Sequence, residues 1–156
     1  MVPFWGSHAD MVGALVFAVA FELSCLIARF GFGKKSTQNT SLIGRVTFGL
    51  RIHHGYVGLA LVLCRNLFPV TTLPCIDDWQ HLAAIIGWGC ILSDGIHHFW
   101  VLWPLTGHHD FDFVYPTNSF PTLQKMEDYW RDDELFAMAG IVMTFAVVLA
   151  FLFIPR

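Results

Sequence analysis

Residues 135–154, LFAMAGIVMTFAVVLAFLFI, run for a whole helical span without a single charge. A helix of about 20 apolar residues matches the roughly 30 Å hydrocarbon core of a bilayer. A helix that is apolar on every side has no wet face to offer a small soluble domain. This segment therefore pulls the whole chain towards the membrane, and composition agrees. Hydrophobic residues make up 55% of the 156 positions and charged residues 13%, about half the usual share in soluble domains. Mean hydropathy is +0.56.

Three more segments of similar length follow the same logic. MVGALVFAVAFELSCLIARF, 11–30, is broken only by Glu22 and Arg29. SLIGRVTFGLRIHHGYVGLALVLC, 41–64, and QHLAAIIGWGCILSDGIHHFWVLW, 80–103, are long enough but carry polar groups. Trp79, Trp100 and Trp103 flank the latter, and Trp gathers at bilayer interfaces. The sequence thus predicts an all-α fold: a four-helix transmembrane bundle in a single domain, 1–156. Pro104 and Pro155 are expected to end the third and fourth spans. In the 105–134 loop, Ser119 and Pro121 read as a helix start, and Leu123, Met126 and Trp130 recur at helical spacing. A short interfacial helix is expected there.

Charge orients the bundle. Lys34, Lys35, Lys125 and Arg131, with Arg29 and Arg45 close by, lie on the face shared by the 31–40 and 105–134 loops, and only Arg65 and Arg156 on the other. The positive-inside rule then puts both loops in the cytoplasm and both termini outside. The N-terminus has no basic stretch and carries Asp10, so the first span is read as retained and not as a cleaved signal. The net charge of −3 gives no footprint for nucleic acid. Expected partners are the lipid bilayer and other membrane subunits. Cys25, Cys64, Cys75 and Cys90 form no CxxC pair and suggest no disulfide framework.

The polar groups inside the spans carry the functional information. Each intramembrane charge costs roughly 2.5–3.5 kcal/mol on insertion scales. Glu22, Arg51 and Asp94 left apart would together cost about 10 kcal/mol, comparable with the stability of a whole domain. At about 100° per residue, Arg51, His54 and Gly58 share one face of the second span, with His53 beside it. Gly87, Cys90, Asp94 and His98 form a stripe on the third, flanked by His97. Its glycines suggest close approach of helix backbones. At 1.5 Å per residue, Glu22, Arg51, His54 and Asp94 lie about 9–16 Å below the cytoplasmic face, and His97 and His98 about 3–6 Å. There they could be joined by His108, His109 and Asp110, just past Pro104.

Three readings compete. In the first, carboxylates and imidazoles from three helices hold Fe or Zn, which both accept such ligands. His53, His54, Asp94, His97 and His98 are candidate ligands. Glu22 is a further ligand or a proton acceptor, and His108 and His109 are second-tier candidates. Asp94 and His97 share the i, i+3 spacing of the Glu-x-x-His element of carboxylate-bridged bundles. The fourth span offers only Glu134, so a mononuclear site fits better than a di-metal cage. Such a site would do redox or hydrolytic chemistry, with Arg51 keeping the carboxylates ionised. In the second, His54 with His97 or His98 ligates haem or another tetrapyrrole axially, and Arg51 holds a propionate. In the third, the same groups form a buried network that fixes packing in a non-catalytic accessory subunit. Ser24 and Ser93 are expected to bond back to their own helices. His8 and His81, near the outer interface, need no function.

Overall fold

The computed structural model describes residues 4–33, 47, 50–67, 76–111 and 134–153. It shows four helices and, among the described residues, no strand. Helix α1, His8–Leu26, begins at a reciprocal cap. The Ser7 hydroxyl accepts from the Asp10 N–H, and the Asp10 carboxylate accepts from the Ser7 N–H, which satisfies two backbone donors left over at a helix start. A wide turn of π-helix, Ile27–Gly31, extends it. Helix α2 is His54–Leu67 and α3 is Ile76–Gly95. A second π-helical turn, Ile96–Leu102, continues α3 into Trp103–Thr106, and Gly107 stops it with φ 75°, a left-handed value that glycine adopts freely. Helix α4 is Glu134–Phe153.

Of the four expected spans, two are candidates among the described residues, each longer than expected. His8–Gly31 and Trp79–Thr106 are long and apolar enough to cross a membrane. The shorter apolar stretch of α4 is Ala137–Ala150. The second span differs. Its described helix is His54–Leu67, and Arg51, Ile52 and His53 precede it in non-helical form; most of the expected stretch before residue 50 lies outside the described residues. These 14 residues reach about 21 Å. The Arg51 side chain reaches across the fold instead, its Nη1 donating to the backbone carbonyl of Asp110 at 3.1 Å. Arg51 therefore does not share a helix face with His54 and Gly58. Pro104 also does not end the third span, which runs on to Thr106. The wide turn before it moves aside the carbonyl that a proline ring would strike in a regular helix. The expected interfacial helix falls within 112–133, outside the described residues.

Helix α3 is central. Helices α1 and α2 pack along it, and α4 docks on its second half and on the turn that follows. Glycines allow the approach. A Cβ on Gly58 would collide with the Gly87 carbonyl, and one on Gly89 would meet the Phe17 ring at 2.5 Å. On the α4 side, a Cβ on Gly140 would meet Phe99 at 2.5 Å. Small-residue contacts of this kind let backbones touch without help from water. The polarity of α1 is inside out. Met11, Ala14, Ala18 and Glu22 are buried, while Val12, Val16, Val19, Leu23 and Ile27 are exposed. Apart from Met11, the large apolar side chains named here face outward, and small or acidic ones face in.

Candidate metal centre

Asp94 is the hub. It lies on α3 facing the start of α2, where the missing side chain of Gly55 makes room: a Cβ there would stand 2.7 Å from Asp94 Oδ2. The other carboxylate oxygen, Oδ1, is ringed by imidazole nitrogens. His54 Nδ1 lies at 3.2 Å, His53 Nδ1 at 3.5 Å and His98 Nε2 at 3.7 Å. Asp94 Oδ1 is nevertheless buried with no aligned hydrogen-bond donor. His53, Asp94 and His98 are all buried and each offers one ligand atom, with those atoms within 4.8 Å of one another. They could hold a metal ion. Metal bonds of about 2.1 Å at tetrahedral angles place neighbouring ligand atoms about 3.4 Å apart, which matches the separations around Oδ1.

The second ring nitrogens are also placed. His98 Nδ1 lies 2.6 Å from the backbone carbonyl of His109. A carbonyl only accepts, so Nδ1 carries the proton and the Nε2 lone pair is left for an ion. This is the usual way a ligating histidine is oriented. His97 turns elsewhere. Its Nδ1 lies 2.8 Å from Glu22 Oε1 on α1, and Glu22 Oε2 is buried without a partner. The adjacent rings of His97 and His98 stand perpendicular with centroids 5.1 Å apart. The π-helical turn that carries both separates their directions. His97 meets α1, and His98 meets Asp94 and the 107–111 segment. His54, whose Nε2 is buried and unpartnered, borders the trio.

That 107–111 segment straps over the site. Asp110, with φ 50°, pairs with Arg29 Nη2 at 2.6 Å, and its carbonyl takes the Arg51 bond. The strap puts the His109 carbonyl on His98 and stacks Phe111 on His53, with centroids 4.4 Å apart and planes 20° off parallel. His53 is also edge-on to His98 at 4.8 Å and to Tyr56 at 5.4 Å.

Of the residues singled out in the sequence, the structure brings together His53, His54, Asp94 and His98 around one oxygen, with Glu22 and His97 as a neighbouring pair. His98 is deeply buried within the bundle. The His109 ring accepts from the Phe111 N–H at 3.0 Å and stacks near Trp103, so its contribution to the site is its backbone. His108 is exposed. Ser24 bonds back to Ala20 as expected, whereas the buried Ser93 hydroxyl has no partner. The sequence brought Asp110 towards the site but not its pairing with Arg29, nor the Phe111 stack. The GHHDF run after Pro104 was a usable signal, since Asp110 was within reach of Arg29. It also missed a pairing at the opposite end, where His81 Nδ1 lies 2.7 Å from Asp10 Oδ1.

No family model matches this chain, and neither a curated protein nor a solved structure is similar to it.

Proposed function

We propose that this chain is an integral membrane protein whose helical core holds one Fe(II) or Zn(II) ion on His53, Asp94 and His98. The observation that carries the reading is the convergence of two buried imidazole nitrogens, from His53 and His98, with one carboxylate oxygen of Asp94, all within 4.8 Å of one another. Two imidazoles and one carboxylate are the donor set of mononuclear Fe(II) sites with open positions, and of hydrolytic Zn sites closed by a water. Three protein ligands leave room for a small substrate or water, which suits redox or hydrolytic chemistry. Glu22 supports the site from outside the ligand set by fixing His97.

Charge supports a single ion. Among the described residues, Asp94 and Glu22 form ion pairs only with imidazoles. One dication neutralises two buried carboxylates, and a second would leave an excess of charge in an apolar interior, where isolated charge is costly. Ring packing favours an ion over haem. His53, His98 and Phe111 touch one another directly, which leaves no slot between those rings for a flat macrocycle. Membrane residence is supported by the two long apolar helices and by the outward-facing large side chains of α1.

Elemental analysis of the full chain purified from membranes tests the centre. The expected result is about one Fe or Zn per chain, lost in Asp94→Asn and His98→Ala and kept in His8→Ala. Metal at background level would overturn the reading and leave the network a structural one. A Soret band in the visible spectrum would replace the ion with haem.

A further inference from the structure

At the end of the bundle away from Asp94, Arg65 closes α2. It lies about 16 Å along that helix from His54. Arg65 is only 5% exposed. Its Nη1 donates to the Phe4 carbonyl at 3.1 Å, which fixes the plane of the guanidinium. The opposite edge, Nε and Nη2, is buried and has no hydrogen-bond partner. Those two N–H groups point in parallel and form the fork that meets two oxygens of one anion. The nearby carboxylate cannot supply them. Asp10 Oδ2 takes the Ser7 N–H at 2.6 Å, and Oδ1 faces His81 Nδ1 at 2.7 Å. A buried guanidinium edge left unpaired is expensive, so the geometry calls for an acceptor from outside the described chain.

We propose that Arg65 forms a second binding site, for one phosphate-type oxyanion held by its Nε–Nη2 edge, beside the Asp10–His81 pair. The Asp10 partner His81 has a half-exposed side chain. Phe4, whose carbonyl takes the Arg65 bond, packs its ring edge-on to Trp5 and Trp88. Phosphate is the oxyanion that lines a bilayer surface, where an Arg at the end of a span would meet it. The source is a phospholipid headgroup or free phosphate. The lipid source rests on the membrane reading, and the oxyanion chemistry does not.

The test follows tryptophan fluorescence of the full chain, treated with chelator so that no metal-bound phosphate contributes. One arm adds inorganic phosphate in detergent, against sodium chloride at equal ionic strength. The other compares galactolipid vesicles with and without phosphatidylglycerol. A saturable response in either arm, weakened about tenfold or more in Arg65→Lys, supports the site, since lysine keeps the charge and loses the fork. Saturation by inorganic phosphate identifies the free ion, and a response to phosphatidylglycerol alone identifies the headgroup. No saturable response in either arm, or an equal one in Arg65→Lys, overturns it. If Arg65→Lys does not fold, equilibrium dialysis of wild-type protein against labelled phosphate, and phosphorus analysis of protein from the vesicles, decide. One phosphorus per chain that chloride does not displace supports the site, and none overturns it. The metal content of untreated protein is a separate readout, so failure here leaves the metal reading standing.

Discussion

Gly55 shows how tightly the centre is set. A methyl group there would press on Asp94 Oδ2 at 2.7 Å and on its Cβ at 3.0 Å. The carboxylate would have to swing away from the three imidazoles. Gly55→Ala is therefore expected to weaken metal affinity about 10–100-fold, the usual cost of disturbing what orients a ligand. Helical content by circular dichroism should be unchanged, because alanine favours helix more than glycine does. Unaltered metal affinity would show that Asp94 is not held where the ion needs it. Glu22→Gln separates a second role. Glutamine keeps a hydrogen bond to His97 but removes one of two buried carboxylates. Because His97 is not a ligand, the loss of metal affinity should stay below the roughly 10–100-fold expected for a group that orients a ligand, measured by competition with a chromophoric chelator. Asp94, His98, His53 and His54 were legible in the sequence, because charge in an apolar span demands company. The role of the His109 carbonyl was not, since any residue offers a carbonyl and only the strap's path selects this one.

At the level of elements, α2 and α3 approach to backbone contact, and Val62 of α2 joins Trp88 and Leu92 of α3 in the core. Gly58 and Gly87 face each other, and a Cβ on Gly87 would also meet Val62 Cγ2 at 2.8 Å. Gly58→Val should force the helices apart, at a cost of about 1–3 kcal/mol for overpacking. It should also loosen the centre, because Asp94 and His54 sit on those two helices. The check is a lower unfolding midpoint in detergent together with weaker metal retention. The strap makes a different prediction. Asp110→Asn keeps a side chain that tolerates φ 50° but loses the charge paired with Arg29. The partners are partly exposed, so global stability should fall by no more than about 1 kcal/mol. Proteolysis within 107–111 should nevertheless quicken. Spans one and three were readable from length and hydropathy alone. The start of α2 was not, because 41–53 is apolar enough to continue a helix, yet residues 51–53 are non-helical. In the same way, hydropathy shows that Pro104 follows a span but not that a widened turn lets the helix pass through it.

Taken whole, the molecule has one apolar exterior and two buried polar ends, and these make separable demands. The exposed side chains of α1, its π-helical extension and α4 include Val16, Phe30, Leu135, Met138, Val142 and Met143, all large and apolar. On the proposed membrane reading, their burial in lipid would not depend on the centre. The centre, in turn, gains stability by mass action from any ion that binds only the folded state, about 2.7 kcal/mol when free ion stands at 100 times its dissociation constant. Stripping the metal should therefore leave the protein in the membrane fraction after alkaline carbonate washing. It should also lower the thermal unfolding midpoint by several degrees, and adding Fe(II) or Zn(II) should restore it. Asp94→Asn should unfold at the same midpoint with or without chelator, because it has no bound ion to lose. The two halves fail independently. Release by carbonate would remove the membrane from this picture and leave the His–Asp centre standing. A midpoint indifferent to chelator in the wild type would remove the ion and leave a membrane-embedded helical scaffold whose acid–imidazole network serves packing alone.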